Sequence, residues 1–427
     1  MKKNNYDIII IGGGASGLMC AASLNLTGKA RGLILDAGPI TGRKLLMSGN
    51  GRCNLTHSGS IKDFTAAYGQ GGKKIRKLLY RHSNEDMCEF CSRLGITLVK
   101  EADGRMFPST GSSRDVHEAL LKRIALNGWD VRTETYVNDI CPSCEDSLSS
   151  DGSILEYSVQ AGSEADTSVF SSRFIVLAPG GITYPSTGSD GSVHRIIQRR
   201  LPGVELTELK PALAPIAVLD YPYSELAGIT LDKVRITLKG HGVKDSISEG
   251  GLLFTHQDFS GPAALAASAG IYEASELVIN YLAPDFTSDS KEIMRKLQTF
   301  MGKGHGSLAG FISSEYGIPK KLAKALIERA CDSPKKLASL LISDTFRLSE
   351  ELPSVRKAMV TRGGIPLSKS GGADPRTLEL DGYPGCYAIG ELLDIDGITG
   401  GYNLQFAYSS ARAVSDELCL KLELSVI

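Results

Sequence analysis

The hydrophobic positions of this chain follow different rhythms in different stretches. Ile8 to Ile11 form an unbroken apolar run, which predicts a strand covered on both faces within a parallel sheet. Gly12, Gly13, Gly14, Ala15, Ser16 and Gly17 follow at once, and the pattern turns helical from Ser16 to Leu26. A second strand over Gly32–Asp36 ends in an acid 19 residues after Gly17. Strand, G-x-G-x-x-G turn, helix, strand and acid occur in the order of a dinucleotide-binding unit. Gly12 allows the tight turn, Gly14 the approach of a pyrophosphate and Gly17 the packing of helix on strand. The helix start offers amides and a positive dipole end to phosphate, and Asp36 can accept ribose hydroxyls. An ordinary tight turn in an α/β core is the plainer alternative.

Helical spacing returns at Lys73–Leu94 and Ser113–Asn127, and a β-rich run covers Trp129–Val137. Ile154–Gln160 and Ser168–Phe170 suggest an antiparallel meander, and Phe174–Gly181 a buried parallel strand whose glycines, Gly180 among them, return backbone to the nucleotide sheet. From Pro202 the composition shifts to strands punctuated by Pro211, Pro215 and Pro222, then to helical spacing at Met294–Met301, Lys320–Ala330 and Pro334–Leu341. The chain re-enters its first domain near Met359. Tyr387–Ile389 reads as a short buried strand with Glu391 at its end, and Gly400-Gly401-Tyr402-Asn403 opens a last helix. The expected fold is α/β. A discontinuous Rossmann-like domain (1–200 and 357–427) is interrupted by a β-rich part (201–285) and a helical part (286–356).

Dinucleotide-type segments at opposite ends suggest one bulky dinucleotide gripped from both sides, which favours FAD over NAD. Glu391 can accept from a ribityl chain, and the start of the last helix can stabilise negative charge at the flavin C2 carbonyl. The loop containing Gly42, Arg43, Lys44, Ser48, Gly49, Asn50, Gly51, Arg52, Cys53 and Asn54 reads as a clasp for phosphate and flavin edge, with cations able to stabilise a reduced flavin. A solvated basic loop is the alternative, and Cys53 is read as packing.

Charge and cysteine content narrow the partners. With 47 Lys+Arg against 48 Asp+Glu the net charge is −1, so neither nucleic acid nor a membrane surface is expected as an obligatory partner. The apolar N-terminus resembles a leader, but Asp7 and the glycines interrupt it, and no run reaches the ~18 residues of a spanning helix. A soluble, cytoplasmic protein is expected. The nine cysteines read as reduced thiols. Cys88/Cys91 and Cys141/Cys144 have the spacing of a four-thiolate zinc site, yet the first pair suits a buried helix face and the second a turn, so no metal is expected.

Taken together, Ile11–Gly17, Gly42–Asn54, Gly180–Gly188, Leu253–His256 with Ser260–Pro262, and Gly390–Asp394 through Gly400–Gln405 resemble the BaiN-like, aminoacetone-oxidase-like FAD flavoproteins over essentially the whole chain. The resemblance implies a Rossmann-like FAD domain built from both ends, with inserted β-barrel-like and helical domains. It implies that Gly12 to Gly17, Asp36 and Ala37 hold the ADP half and that Val137 meets the adenine through its backbone. Arg43, Lys44, Ser48 to Asn54, Gly401, Asn403, Leu404 and Gln405 would surround the flavin. Asp36 stands where such proteins more often carry Glu. Hydride or electron exchange at the flavin follows, with a small-molecule substrate, either an enone-like compound to be reduced or a small amine to be oxidised. Tyr184 and His256 are the candidate pocket residues. No second glycine fingerprint appears, so a dedicated NAD(P)H domain is not indicated, and the sequence leaves the electron donor open, with NAD(P)H as a transient donor among the options. An NAD-dependent dehydrogenase and a non-catalytic flavin electron carrier or sensor are the competing readings.

Overall fold

The apolar run near the start of the chain is a strand, Asn5–Ile11, with Ile8, Ile9 and Ile10 fully buried. A computed structural model describes residues 4–142, 157–162, 166–240, 245–282, 289–302, 306–349 and 353–426. Contacts divide the chain into two compact units, Met1–Lys210 with Val360–Ile427, and Pro211–Met359.

In the first unit the strand order is Trp129–Arg132, Gly32–Leu35, Asn5–Ile11, Thr167–Leu177, Tyr157–Gly162, Tyr136–Pro142, with Cys386–Ala388 also paired to Thr167–Leu177. Ile11 pairs in parallel with Leu35 and Leu177, and Leu177 with Ala388. Four strands therefore end level, and the chain leaves them through Gly12, Asp36, Ala178 and Ile389. Carboxyl ends of parallel strands are where open α/β sheets bind ligands.

Three local features differ from the sequence expectation. The meander strand and the third parallel strand are one element, Thr167–Leu177, antiparallel to Tyr157–Gly162 in its first half and parallel to Asn5–Ile11 in its second. The polar Ser171-Ser172-Arg173 stretch reads as a break, but burial alternates through it before becoming continuous. The helix expected over 73–94 is two helices, Gly69–Arg81 and Asn84–Arg93. Ser83 starts the second through a capping box, its hydroxyl accepting from Asp86 N while the Asp86 carboxylate accepts from Ser83 N. The first helix is shorter than expected, Ala15–Ser23, because Leu24–Asn25 pairs with Ser425–Val426. Cys91 is buried and Cys88 half-buried on the second of the split helices. Cys141 lies in the strand Tyr136–Pro142, and Cys144 lies outside the described residues.

The second unit has an antiparallel sheet ordered Ile216–Ala217, Asp258–Ser260, Ser246–Phe254, Thr230–Lys239, Glu276–Asn280, Asp344–Arg347. Helices Ser290–Gly302, Leu308–Tyr316, Lys320–Ala330 and Pro334–Ile342 bury Leu297, Ile312, Leu326 and Leu341 in one cluster with Ile279 and Phe346 of the sheet. Strands and helices thus share a single core. A polar knot lies within it. Asp344, 0% exposed, accepts from the hydroxyls of Tyr223 at 2.5 Å and Tyr281 at 2.9 Å and pairs with Arg329 Nη1 at 2.6 Å. The Arg329 guanidinium lies 5.1 Å from the Tyr223 ring centroid and 5.3 Å from that of Phe346. Among the described residues no helix is long and apolar enough to cross a membrane.

Candidate active site

At the level strand ends, Gly12 has φ +106°, and a Cβ there would stand 2.2 Å from the Ala178 carbonyl oxygen, so only glycine turns the chain here. The helix Ala15–Ser23 begins at Gly14 with no side-chain cap and no acid in its first turn, and nothing lies within 4 Å of where a Gly14 Cβ would stand. Its first amides have no side-chain cap, the arrangement that receives phosphate. Asp36 accepts from Gly13 N and Gly38 N, each at 2.8 Å. Burial pushes its carboxyl up, against those two amides and Arg43, which favour the charged form. Sequence reasoning gives Asp36 to ribose, and the structure shows that it also fixes the glycine turn. Each carboxylate oxygen keeps a second lone pair for a hydroxyl. Beside Ala37, Glu134 N donates to Gly38 O at 2.8 Å and Thr135 N to Asp36 O at 2.9 Å. These bonds bring the strand that carries Val137 alongside.

The clasp loop is anchored by Gly42 N on Gly13 O at 2.7 Å. After the short helix Arg43–Met47, Ser48 Oγ bonds Leu45 O, and Gly49, Asn50, Gly51 and Cys53 all adopt positive φ. Cys53 is buried and its thiol is pushed up to about 11 by burial, against the Ser48 hydroxyl, so it remains a neutral thiol. Arg52 faces Glu101 at 2.5 Å, with its guanidinium 4.0 Å from the Phe107 ring centroid. Arg43 donates to Ser186 O at 2.7 Å. Among the described residues its Nε is buried without a partner, as is Asn54 Oδ1.

Four distant segments meet at Glu391. Lys44 Nζ lies 2.9 Å from Glu391 Oε2 and donates to Thr183 Oγ1 at 2.8 Å. Glu391 Oε1 accepts from Thr361 N at 2.7 Å, and Thr361 Oγ1 accepts from Ile182 N at 2.8 Å. Glu391, expected to receive a ribityl chain, is thus already engaged by Lys44. Thr183 and Thr361 were not anticipated. Thr183 lies inside the Gly180–Gly188 motif, whereas Thr361 had no marker. Gly180 adjoins this cluster, with Glu391 Oε2 3.8 Å from where its Cβ would stand. The next residue after Thr183, Tyr184, is half-buried at φ +53°, ψ +59°, a conformation that a bulky residue holds only under constraint.

The two chain ends touch here. A Cβ on Gly390 would stand 2.4 Å from Ser16 Oγ. Gly401, at φ +98°, starts the helix Tyr402–Leu422 with no side-chain cap and no acid in its first turn. Asn403 bonds Gly397 N and O through its amide at 2.8 and 2.9 Å, and Leu404 is half-buried. The Gln405 side chain is engaged within the protein. It is fully buried, accepts from Thr56 Oγ1 at 2.6 Å and donates to His82 O at 3.2 Å and Ser409 Oγ at 3.0 Å. Its amide ties the loop to the helix. His256 belongs to the second unit and is exposed on the turn closed by Thr255 Oγ1 and Asp258 Oδ1 at 2.6 Å.

His194 is buried on the helix Ser192–Arg200, with neither ring nitrogen hydrogen-bonded among the described residues. Burial holds its pKa down at about 4 against an ordinary 6.5, helped by Arg195 and opposed by Glu391. Below pH 6.5 the unfolded chain takes up a proton that the folded chain refuses until about 4. Stability is therefore expected to fall across that window, by at most about 1.4 kcal/mol per pH unit. In urea unfolding as a function of pH, His194→Leu is expected to flatten this limb without loss at pH 7, since it removes two unpartnered nitrogens. The slope that persists belongs to His82, also held down at about 4 by burial and nearby arginines, and to His117, which burial likewise lowers.

The uncapped helix starts, the space over Gly14, and the orphaned Arg43 Nε and Asn54 Oδ1 fit a large dinucleotide with polar groups to offer both. Comparison with known proteins agrees. The family model described as "HI0933-like protein Rossmann domain" matches residues 6–417. The chain is 29% identical to the 3-dehydro-bile acid delta(4,6)-reductase of Clostridium scindens, covering 94% of this chain and 96% of that one. It is 28% identical to the ribosomal RNA dihydrouridine synthase of Escherichia coli, over 97% and 98%. In fold it is similar to a flavocytochrome c3 fumarate reductase, with TM-score 0.53, 13% identity, and 98% and 79% of the two chains covered. From Asn5–Ile11 through the last helix, then, this chain is a member of the HI0933-like family of Rossmann-type, FAD-dependent oxidoreductases.

Proposed function

We propose that this enzyme is a reductase that saturates a carbon–carbon double bond conjugated to a carbonyl, with NAD(P)H as the transient electron donor. The observation that carries the reading is Tyr184, held in a left-handed conformation next to the Lys44–Thr183–Glu391 cluster. A phenol fixed by strain is suited to deliver a proton at one end of such a bond. The FAD, when bound, supplies the hydride for the other end. The names of the two curated relatives support the same chemistry, because a Δ4,6-reductase of a 3-dehydro steroid and a dihydrouridine synthase both add two hydrogens next to a carbonyl system.

In this reading the amides from Gly13 to Gly17 hold the pyrophosphate, Asp36 and Ala37 the ribose, and the Val137 backbone the adenine. Arg43 Nε and Asn54 Oδ1 give their free hydrogen-bonding capacity to the cofactor, and Ser48 to Cys53 shape the loop around it. Lys44 places positive charge close by while Glu391 holds it in position. Gly180 and Gly390 keep that approach open, and Gly401, Asn403 and Leu404 form the opposite wall. His256 is exposed on a turn of its own unit, so His256→Ala should leave the fold intact and a change in rate would report on function.

Anaerobic mixing with NADH or NADPH should bleach the flavin, and a 4-en-3-one steroid should restore the colour faster than oxygen does. Tyr184→Phe should keep the flavin spectrum and lower the rate of that reoxidation about a hundredfold. A flavin that bleaches with a small primary amine but with neither nicotinamide would instead establish an amine oxidase.

A further inference from the structure

Among the described helices, Gly69–Arg81 carries the largest excess of cations. Its 13 residues include Lys73, Lys74, Arg76, Lys77 and Arg81 and no acid, and all five cations are exposed. Ile75, Leu78 and Leu79 are buried, so the apolar face is already taken up by the core. Arg81 is engaged by the Arg376 carbonyl at 3.1 Å and Asp416 at 3.9 Å. Among the described residues no acid pairs with Lys73, Lys74, Arg76 or Lys77. Like charges at i,i+3 and i,i+4 repel. A face that only needed solvation would gain from interspersed acids, as most of this evenly charged chain has. The expectation from net charge missed this patch because it averages over the whole sequence.

Lys73, Arg76, Lys77 and Tyr80 share one stripe of the helix. Tyr80 is 60% exposed, and the Arg76 guanidinium lies 5.7 Å from its ring centroid. The helix start adjoins the loop leading to Gly401. A Cβ on Gly71 would stand 3.0 Å from Ile395 Cδ1, and Ile398 N donates to Ala67 O at 3.0 Å.

We propose that this face docks single-stranded nucleic acid, with phosphates on Lys73, Lys74, Arg76 and Lys77 and a base stacked on Tyr80. Cations that track a backbone beside an exposed aromatic are the means by which such strands are held. An anionic membrane suits the face less well, because an interfacial helix needs a free apolar side to insert. The proposal stands on surface chemistry alone and does not rest on the proposed reaction. RNA and DNA present the same phosphates, and the test separates them.

The FAD-loaded full-length protein is titrated into fluorescein-labelled 12-mer oligouridylate, and into the matching oligodeoxyuridylate, over a series of salt concentrations. Log affinity should fall linearly with log salt. Combined Lys73→Gln, Lys74→Gln, Arg76→Gln and Lys77→Gln, which keep helix propensity, should reduce the slope by about 3 and weaken binding at least about tenfold. Tyr80→Ala should weaken binding several-fold at every salt concentration with the slope unchanged. An unaltered flavin spectrum in each variant shows that the fold is intact. Tighter binding of the ribose strand would identify RNA, and equal binding a general single-strand surface. Wild-type affinity in the fourfold variant, no wild-type binding at 0.1 M salt, or capture by phosphatidylglycerol vesicles with the oligomers ignored would each overturn the proposal.

Discussion

Gly14→Val yields a folded protein that has lost its cofactor. Gly14 has ordinary backbone, φ −79°, and open space around its Cβ position, so a small branched side chain finds a rotamer without moving the protein. The structural cost is a weaker helix start, about 1 kcal/mol. In the proposed placement of the cofactor, the same volume lies where the pyrophosphate approaches uncapped amides. FAD affinity is expected to fall at least about a hundredfold, roughly 2.7 kcal/mol, in a fluorescence titration of apoprotein whose far-UV circular dichroism is unchanged. Gly12→Ala forms the contrast, because its methyl group would meet the Ala178 carbonyl at 2.2 Å. That variant should fail to fold, whereas a Gly14→Val protein that stays yellow would falsify the placement of the cofactor.

Asp344→Ala should be among the most destabilising single substitutions in the second unit. It leaves the Arg329 guanidinium without its carboxylate, and the Tyr223 and Tyr281 hydroxyls without their acceptor, where Asp344 is 0% exposed. Removing one partner of a buried pair costs about 3–5 kcal/mol. Urea denaturation should show this as a lower midpoint with little change in slope. The double variant Asp344→Leu, Arg329→Met should recover much of the loss, because an apolar replacement of both partners leaves nothing charged behind. A loss below about 1 kcal/mol in Asp344→Ala would mean that the tyrosines and the arginine find other partners.

What was legible in the sequence was whatever is encoded locally. The glycine turn, its flanking strands and the last helix start are each contiguous, and each falls where the residues indicate. Ser83 and Asp86 spell a helix start three residues apart, a signal present but outweighed by the apolar spacing on either side. Ser171-Ser172-Arg173 suggested an interruption because polarity alone does not distinguish a loop from the outward positions of a strand. The long-range pairings could not be read. Lys44 and Glu391 are 347 residues apart, and their ion pair exists only because four strands end level. The bonds of Gln405 were hidden for the same reason, since its partners Thr56 and His82 are distant in sequence.

The dual strand Thr167–Leu177 also governs the order in which the polypeptide can acquire structure. Its inner half needs Asn5–Ile11, already synthesised, on one edge, and Cys386–Ala388 on the other, with Leu177 and Ala388 paired about 210 residues apart. At 5–20 residues per second a ribosome takes roughly 10–40 s to cover that distance. During this interval the nascent sheet has an open edge available to other chains. Pro211–Met359 is contiguous and can complete its own core in the meantime. Aggregation during synthesis should therefore arise from the unsealed edge of Thr167–Leu177, and truncation just before Cys386 should aggravate it more than any deletion of equal length within the intervening segment.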